Sequence, residues 1–406
     1  MTQDGLTAAI PERGLLVGIV AGESSGDQLG AGLMQSLTRA THGNIRFVGV
    51  GGPLMQQQGL KSLFPMSDIA VNGLLPVIAR LPLLLRRINQ TAEYLSTANL
   101  DAVVHIDAQD FNQRVARKLK ARSPDLPLIG YVSPTVWAWR PGRAKKIKRL
   151  FKRLLAVLPF EPDVHRRLGG PETIYVGHPL MGRQQDWIAS APDVSERARQ
   201  PYQLLVLPGS RHSEINRLLP LFEDIITALS RRVSNFEIVI PAVEHLVPSI
   251  EAKTANWAIR PRIIRGEAQK WQAFRTARAA LAASGTVTLE LALADVPAIV
   301  AYRVSYLEEL LGRLLITTQF AALPNVILGR ELMPEYIKRT QNIEDLIHGL
   351  LEIFVDGKKR AEQLSGFAEI RSIMAVEGAS PSEKAAEAVL MTLSLAKSHD
   401  AAPPDA

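Results

Sequence analysis

"LLVGIVAGESSGDQLGAGLMQSLTRA" occupies residues 15–40. The apolar run 15–20 lacks polar alternation, as in a strand buried on both faces of a parallel sheet. A turn of small residues, "AGESSGDQLGAG" (21–32), follows, and a helix-like stretch runs on to Ala40. Strand, glycine-rich turn and helix in that order open a doubly wound α/β sheet. The strand signal recurs at 45–50, 102–107, 126–132, 153–159 and 173–177. A second series starts with "QLLVLP" (203–208) and continues at 236–241, 262–266, 279–285 and 297–302. Two such halves predict two Rossmann-like α/β domains facing a cleft, with ligands at the carboxyl-end loops of the strands.

The expected boundaries are a first domain at 1–180 and a polar linker at 181–202. A second domain is expected at 203–370, and a helix with a frayed tail at 371–406. A chain of 406 residues, 47% hydrophobic and 21% charged, suits two globular cores. The formal charge of +7 and a pI near 9.6 favour anionic partners without choosing among them. With no cysteine and eight scattered histidines, thiolate metal sites are excluded and no zinc motif is present. The first residues do not read as a signal peptide, and no apolar run reaches the ~18–20 residues of a spanning helix. The expected location is cytoplasmic, with peripheral membrane contact.

Five loops can carry chemistry. In "AGESSGDQLGAG", Ser25, Gly26 and Asp27 sit where a backbone can approach an anion, although the string is not GxGxxG and also reads as a plain tight turn. "HIDAQDFN" (105–112) puts Asp107 at the end of a buried strand, where an acid is a poor core residue; Asp110 reads as a second site acid, a metal ligand or a helix cap. "LPGSRHSE" (207–214) places Ser210 and Arg211 at a strand end before a helix, where arginine suits a diphosphate or is a solvated side chain beside a surface cap. In "ASGTVTLE" (283–290), Ser284, Gly285 and Thr286 can hold phosphate oxygens and Glu290 can reach ribose hydroxyls, or serve only as a first-turn acid. "NGLLPVIARLPLLLRRIN" (72–89) is either a core helix or an interfacial segment whose Arg80, Arg86 and Arg87 meet lipid headgroups.

"YVSPTVWAWRPGRAKKIKR" (131–149) adds Trp137 and Trp139 beside Arg140; eight of the fourteen residues from 140 to 153 are Lys or Arg. No recognised nucleic-acid module accompanies it, so nucleic acid is the weaker partner. An anionic membrane face, an anionic substrate and a solvated helix face remain.

In combination and order, "AGESSGDQLGAGL", "FVGVGGPLM", "IDAQDFN", "YVSPTVWAWRPGRAKKI", "PFEP", "VGHPL", "LPGSR", "ASGTVTLE", "AYRVS" and "LPNVILGRE" make the chain resemble the lipid-A-disaccharide synthases. That family consists of inverting glycosyltransferases of the GT-B fold. The resemblance implies transfer from UDP-2,3-diacylglucosamine to 2,3-diacylglucosamine 1-phosphate, giving a β-1,6-linked disaccharide phosphate and UDP. It implies a peripheral membrane enzyme on anionic inner-membrane lipids, with no cofactor and no required metal, and it is compatible with a homodimer. It implies catalytic roles for Asp107 and Arg211, donor-site roles for Glu290 and Asn325, and a first-domain cleft loop at Ser25, Gly26 and Asp27. The first domain then becomes the acceptor and membrane side, with Trp137, Trp139 and Arg140. Gln109 departs from the family's usual proline, and Asn72 and Pro76 depart in the apolar segment. A sugar-nucleotide 2-epimerase of the same fold and a noncatalytic membrane-binding protein are the rival readings.

Overall fold

The computed structural model describes residues 13–70, 79–304 and 316–400, so Asn72, Pro76 and the tail from 401 lie outside the described residues. The chain forms two compact units, Met1–Gly182 with Val376–Ala406, and Arg183–Ala375. Each is built on one parallel sheet.

In the first unit the strands are β1 (Leu15–Ala21), β2 (Ile45–Val50), β3 (Lys61–Ser62), β4 (Ala102–Ile106), β5 (Leu128–Tyr131), β6 (Arg153–Ala156) and β7 (Glu172–Tyr175). Their spatial order is β3-β2-β1-β4-β5-β6-β7. Alternate side chains pack into opposite cores. Val17, Ile19, Val104 and Ile106 meet helix Ser24–Ala40, whereas Val20 and Val103 meet helices Leu81–Thr97 and Gln109–Arg122. Burial on both faces is why these strands read as unbroken apolar runs.

The second unit has β8 (Tyr202–Leu207), β9 (Phe236–Ala242), β10 (Arg262–Arg265), β11 (Ala279–Ala282), β12 (Ala298–Arg303) and β13 (Glu335–Lys338). Their order is β10-β9-β8-β11-β12-β13. Helices His212–Ser230 and Ile343–Phe354 cover one face through Leu218, Phe222, Leu346 and Leu350.

The strand order reverses between β1 and β4 in one sheet and between β8 and β11 in the other. Chain connections leave in opposite directions there, and the carboxyl ends open a crevice suited to ligands. Register keeps the paired ends level: Ala21 lies beside Ile106, and Leu207 beside Ala282. The strand-end loops singled out in the sequence fall at these two places.

Two boundaries differ from the sequence reading. The stretch expected as a linker folds into helices Gln184–Trp187 and Ala191–Arg197 of the second unit. Trp187 is buried there, and the Arg197 guanidinium donates to the carbonyls of Phe274, Arg275, Ala294 and Asp295. A polar composition had hidden a buried arginine with its hydrogen bonds satisfied. The final helix, Pro381–Asp400, is likewise no separate tail. Ala385, Ala386, Val389 and Leu393 join the first unit's core, and buried Arg153 of β6 donates to Thr392 Oγ1 at 2.9 Å.

This packing predicts that Leu393→Ala, at a side chain only 4% exposed, costs about 2–5 kcal/mol of first-unit stability. Urea unfolding followed by tryptophan fluorescence reads it; an unchanged midpoint would mean the helix does not contribute to that core.

Candidate active site

At the β1/β4 switch point, Ser25 Oγ donates to Asp107 Oδ2 at 3.1 Å. Asp107 and Ala108 both have positive φ, 50° and 40°, so the chain leaves β4 through two left-handed residues that are not glycine. Such strain persists only where neighbours over-determine it. Asn112 supplies the restraint: its Nδ2 donates to the carbonyls of Ile106 (3.0 Å) and Asp107 (2.8 Å), and its Oδ1 stands 3.2 Å from His105 Nδ1. Gly22 is needed opposite, because a Cβ there would stand 2.5 Å from that of Ala108. Asp107 thus projects at the strand end with one hydroxyl partner and, among the described residues, no cation paired to it. Asp110, whose side chain is 95% exposed, meets Arg143 at 3.4 Å.

Asp27 does not share that role. It is 3% exposed and accepts the amides of Gly52, Leu54 and Met55 at 2.9–3.0 Å. Its carboxylate caps helix Pro53–Gln57, which removes it from the ligand-facing set. Gly26 is buried against Ala21 and Ile106, so within this loop Ser25 reaches the site.

The tryptophans divide. Trp137 packs edge-on against Phe160 at 5.3 Å, inside a small core with Val136, Ala144 and Val164. Nearby, buried Glu161 of "PFEP" accepts from the Leu158 amide at 3.0 Å. Ser133 Oγ lies 2.8 Å from His165 Nε2. Trp137 is therefore a brace. Trp139 is half-exposed, donates to Thr135 Oγ1 at 3.0 Å, and carries the guanidinium of Arg140 4.4 Å from its ring centre.

Helix Leu81–Thr97 divides along its length into an exposed start and a buried end. Ile88, Ala92 and Leu95 are buried, while Leu81 and Leu85 are each 44% exposed beside exposed Arg80 and Arg86. Arg87 is corrected from a headgroup contact to a structural residue. Its guanidinium pairs with Asp68 at 2.6 Å and lies 4.5 Å from the Phe64 ring centre.

At the β8/β11 switch point, Arg211 stands just before helix His212–Ser230 with a side chain 73% exposed, touching Glu214 at 3.4 Å. The Ser210 amide already donates to Glu214 Oε2 at 2.9 Å, so Ser210 offers no free backbone donor. Gly209, at φ 107°, is where that carboxylate crosses; an added Cβ would clash with it. Across the switch, Gly285 adopts φ 148° with open space around it, and exposed Thr286 precedes helix Val287–Leu293. Ser284 Oγ donates to the carbonyl of Ala321 at 3.2 Å. Glu290 accepts from Lys270 at 3.1 Å, and burial raises its pKa while Lys270 opposes that rise. Lys270 was missed in the sequence because it lies in no motif, on helix Gly266–Thr276.

Asn325 is corrected from donor contact to brace. It is fully buried, donates to Met333 O and Glu335 Oε1, and accepts the amides of Leu332 and Met333, all at 2.7–2.9 Å. Glu335 in turn receives the amides of Ala321 and Ala322. The pair fixes the loop that Ser284 touches.

With that geometry established, comparison places the chain among known proteins. The family described as lipid-A-disaccharide synthetase matches residues 17–389. A lipid-A-disaccharide synthase of Nitrobacter hamburgensis is 45% identical over 378 residues, covering 92% of this chain and 95% of the relative. Among solved structures, a putative UDP-N-acetylglucosamine 2-epimerase from Listeria monocytogenes shares the fold at 13% identity, with a TM-score of 0.59 over 97% of this chain and 99% of that one. An Anabaena protein in complex with UDP and glucose shares it at 12% identity, with a TM-score of 0.54 over 94% and 99%. The epimerase likeness is one of fold, whereas the synthase likeness extends along the sequence.

Burial shifts four groups of the first unit that titrate between about pH 4 and 7, His105, His165, His178 and Glu161, with His178 lowered to about 4 like the other two histidines. Burial lowers His105 to about 4, with Asn112 pulling back, and lowers His165 to about 4. Burial raises Glu161 to about 7 against the pull of its donors. Each histidine binds a proton on unfolding between about pH 4 and its ordinary 6.5, so its contribution to stability falls as pH falls through that window. Glu161 releases a proton on unfolding between its ordinary 4.5 and about 7, so its contribution grows as pH falls. Glu161→Gln removes that offset. Its urea-unfolding free energy should decline more steeply than wild type from pH 6.5 to 4.5, by about 1.4 kcal/mol per pH unit. Parallel slopes would show that Glu161 is ionised throughout.

Proposed function

The chain belongs to the lipid-A-disaccharide synthase family, and on that premise we propose how its own side chains divide the transfer. It is a glycosyltransferase of lipid A biosynthesis. The donor, UDP-2,3-diacylglucosamine, binds the second unit. Arg211 meets the diphosphate, with the Gly285–Thr286 turn beside it, and the Glu290–Lys270 pair meets the ribose. The acceptor, 2,3-diacylglucosamine 1-phosphate, binds the first unit.

Asp107 is the general base. The acceptor's 6-hydroxyl is a poor nucleophile until it begins to lose its proton, and a carboxylate at its side takes that proton as the new bond forms. The hydroxyl oxygen attacks the anomeric carbon, the bond to UDP breaks, and its electron pair leaves with UDP. Attack opposite the leaving group inverts the centre and gives the β-1,6 linkage. Arg211 offsets charge on the departing diphosphate. The observation that carries this reading is Asp107 itself: a carboxylate at a switch point, on a strained backbone held by Asn112, with Ser25 as its hydroxyl partner. A noncatalytic membrane protein has no use for that strain.

Among the described residues no helix is long and apolar enough to cross a membrane. The exposed end of helix Leu81–Thr97 supports contact with the surface of anionic inner-membrane lipids on the cytoplasmic face: Leu81 and Leu85 enter the acyl boundary and Arg80 and Arg86 meet headgroups. Replacing Arg80 and Arg86 with Ser should weaken sedimentation with anionic vesicles by about 1 kcal/mol per residue, less at high salt. Arg87→Ser should lower the thermal midpoint instead. Vesicle binding unchanged at low salt would remove this face from the membrane.

Steady-state kinetics with both substrates test the transfer. Asp107→Asn should lower turnover by ~10²–10⁴, roughly 3–5 kcal/mol of barrier, while UDP still binds. Asp110→Asn should lose far less, and Arg211→Ala should raise the donor KM or lower turnover in a folded protein. Near-normal turnover in Asp107→Asn would place the base elsewhere.

A further inference from the structure

A recess of about 1030 Å³ opens beside the first unit's site, and six cations line it: Arg117, Arg140, Arg143, Lys145, Lys146 and Arg149. Among the described residues only Arg143 has a carboxylate partner, the exposed Asp110. Six like charges around one concavity repel one another and focus a positive potential that an anion relieves. Two of the charges are also held in place. Arg140 and Arg143 lie 4.4 and 5.8 Å from the Trp139 ring centre, and Arg140 leaves the tryptophan on a left-handed backbone with φ 53°. Planar guanidinium forks set in this way match phosphate oxygens in pairs.

Position narrows the anion. Gln113 and Arg117 line the recess from the helix that begins two residues after Asp107. At 1.5 Å per residue, these positions lie about 6 and 12 Å along the axis from the helix start, and long side chains can reach back toward it. That interval suits one hexose carrying its attacking hydroxyl at C6 and its phosphate at C1, across the ring.

We propose that this recess binds the anomeric phosphate monoester of the acceptor and thereby fixes which end of the sugar meets Asp107. The proposal rests on the reading of the first unit as the acceptor side. The same chemistry would suit a lipid headgroup phosphate, so the test separates the two sources. A monoester carries two negative charges on one phosphorus, and the recess therefore favours the acceptor over its dephosphorylated form.

The experiment uses the full chain in neutral-detergent micelles, where no anionic lipid is present. Wild type, Arg117→Gln and Lys146→Gln are compared with the 1-phosphate acceptor and with 2,3-diacylglucosamine lacking the phosphate. Thermal midpoints confirm folding. The expected result is a rise in acceptor KM of about tenfold for each cation removed, the scale of one charge-assisted hydrogen bond, with the donor KM unchanged. The difference should vanish with the dephosphorylated acceptor, and inorganic phosphate should compete with the acceptor more weakly in the variants. An unaltered preference for the phosphorylated acceptor overturns the proposal. Lost sedimentation with anionic vesicles while that preference stays intact also overturns it, and gives the recess to headgroups. If wild type makes no disaccharide from either acceptor, the proposed function itself fails, and this inference with it.

Discussion

Asn112 donates both amide hydrogens to carbonyls at the end of β4, and its oxygen faces His105. No regular secondary structure would hold Asp107 and Ala108 at positive φ; these side-chain bonds replace the strand ladder where it stops. A buried amide satisfied on both ends is stiff, since breaking any one bond leaves a desolvated polar group. The direction of the Asp107 carboxylate, its contact with Ser25 and the start of helix Gln109–Arg122 all follow from that restraint. Loss of the His105 bond would also strand a ring buried against Phe151, which ties the brace to the core.

The second unit solves the same problem with the same residue type. Asn325 ties the carbonyl and amides of 332–333 to Glu335, and Glu335 holds the amides of 321–322. Ser284 and Thr288 then bind that loop from the switch-point side, through Ala321 O and the Leu323 amide. In each unit one asparagine out of solvent stiffens a loop at the switch point: Asn112 holds the turn that carries Asp107, and Asn325 holds the loop against which Ser284 rests. Each asparagine has its side-chain amide taken up by partners within the fold, and its position in a motif alone does not reveal this.

This explains what could be read from the sequence. Parallel strands buried on both faces are continuous apolar runs, so eleven of the thirteen strands were visible; β3, with two residues, and β13, beside polar "GRELMPEYIK", were not. The placement of Ser25, Asp107, Arg211 and Gly285 at the switch points was legible because each follows an apolar run that reads as a strand. Asp27, Arg87 and Asn325 were misread because their partners are set by folding: Asp27 answers amides at 52–55, and Arg87 answers Asp68. Their residue types suit ligand binding and bracing equally well. The final helix was misplaced for a similar reason, since sequence order puts it after the second unit while its apolar face completes the first.

Gln109 shows how a departure from a family pattern can be absorbed. A proline at a first helical position would fix φ without making any bond. Here the Gln109 amide donates to Val132 O at 3.0 Å, and its own oxygen accepts from Gln113 at 3.3 Å. Val132 is itself strained, a β-branched residue at φ 74°, where the chain leaves β5 for Ser133 and the tryptophan segment. The bond therefore joins two adjacent left-handed turns, one aiming Asp107 and the other leading to Trp137 and Trp139. A ring would have stiffened the first turn alone. The glutamine makes the position of Asp107 and the position of the aromatic segment depend on each other, and it does so one helical turn from Gln113 at the rim of the basic recess.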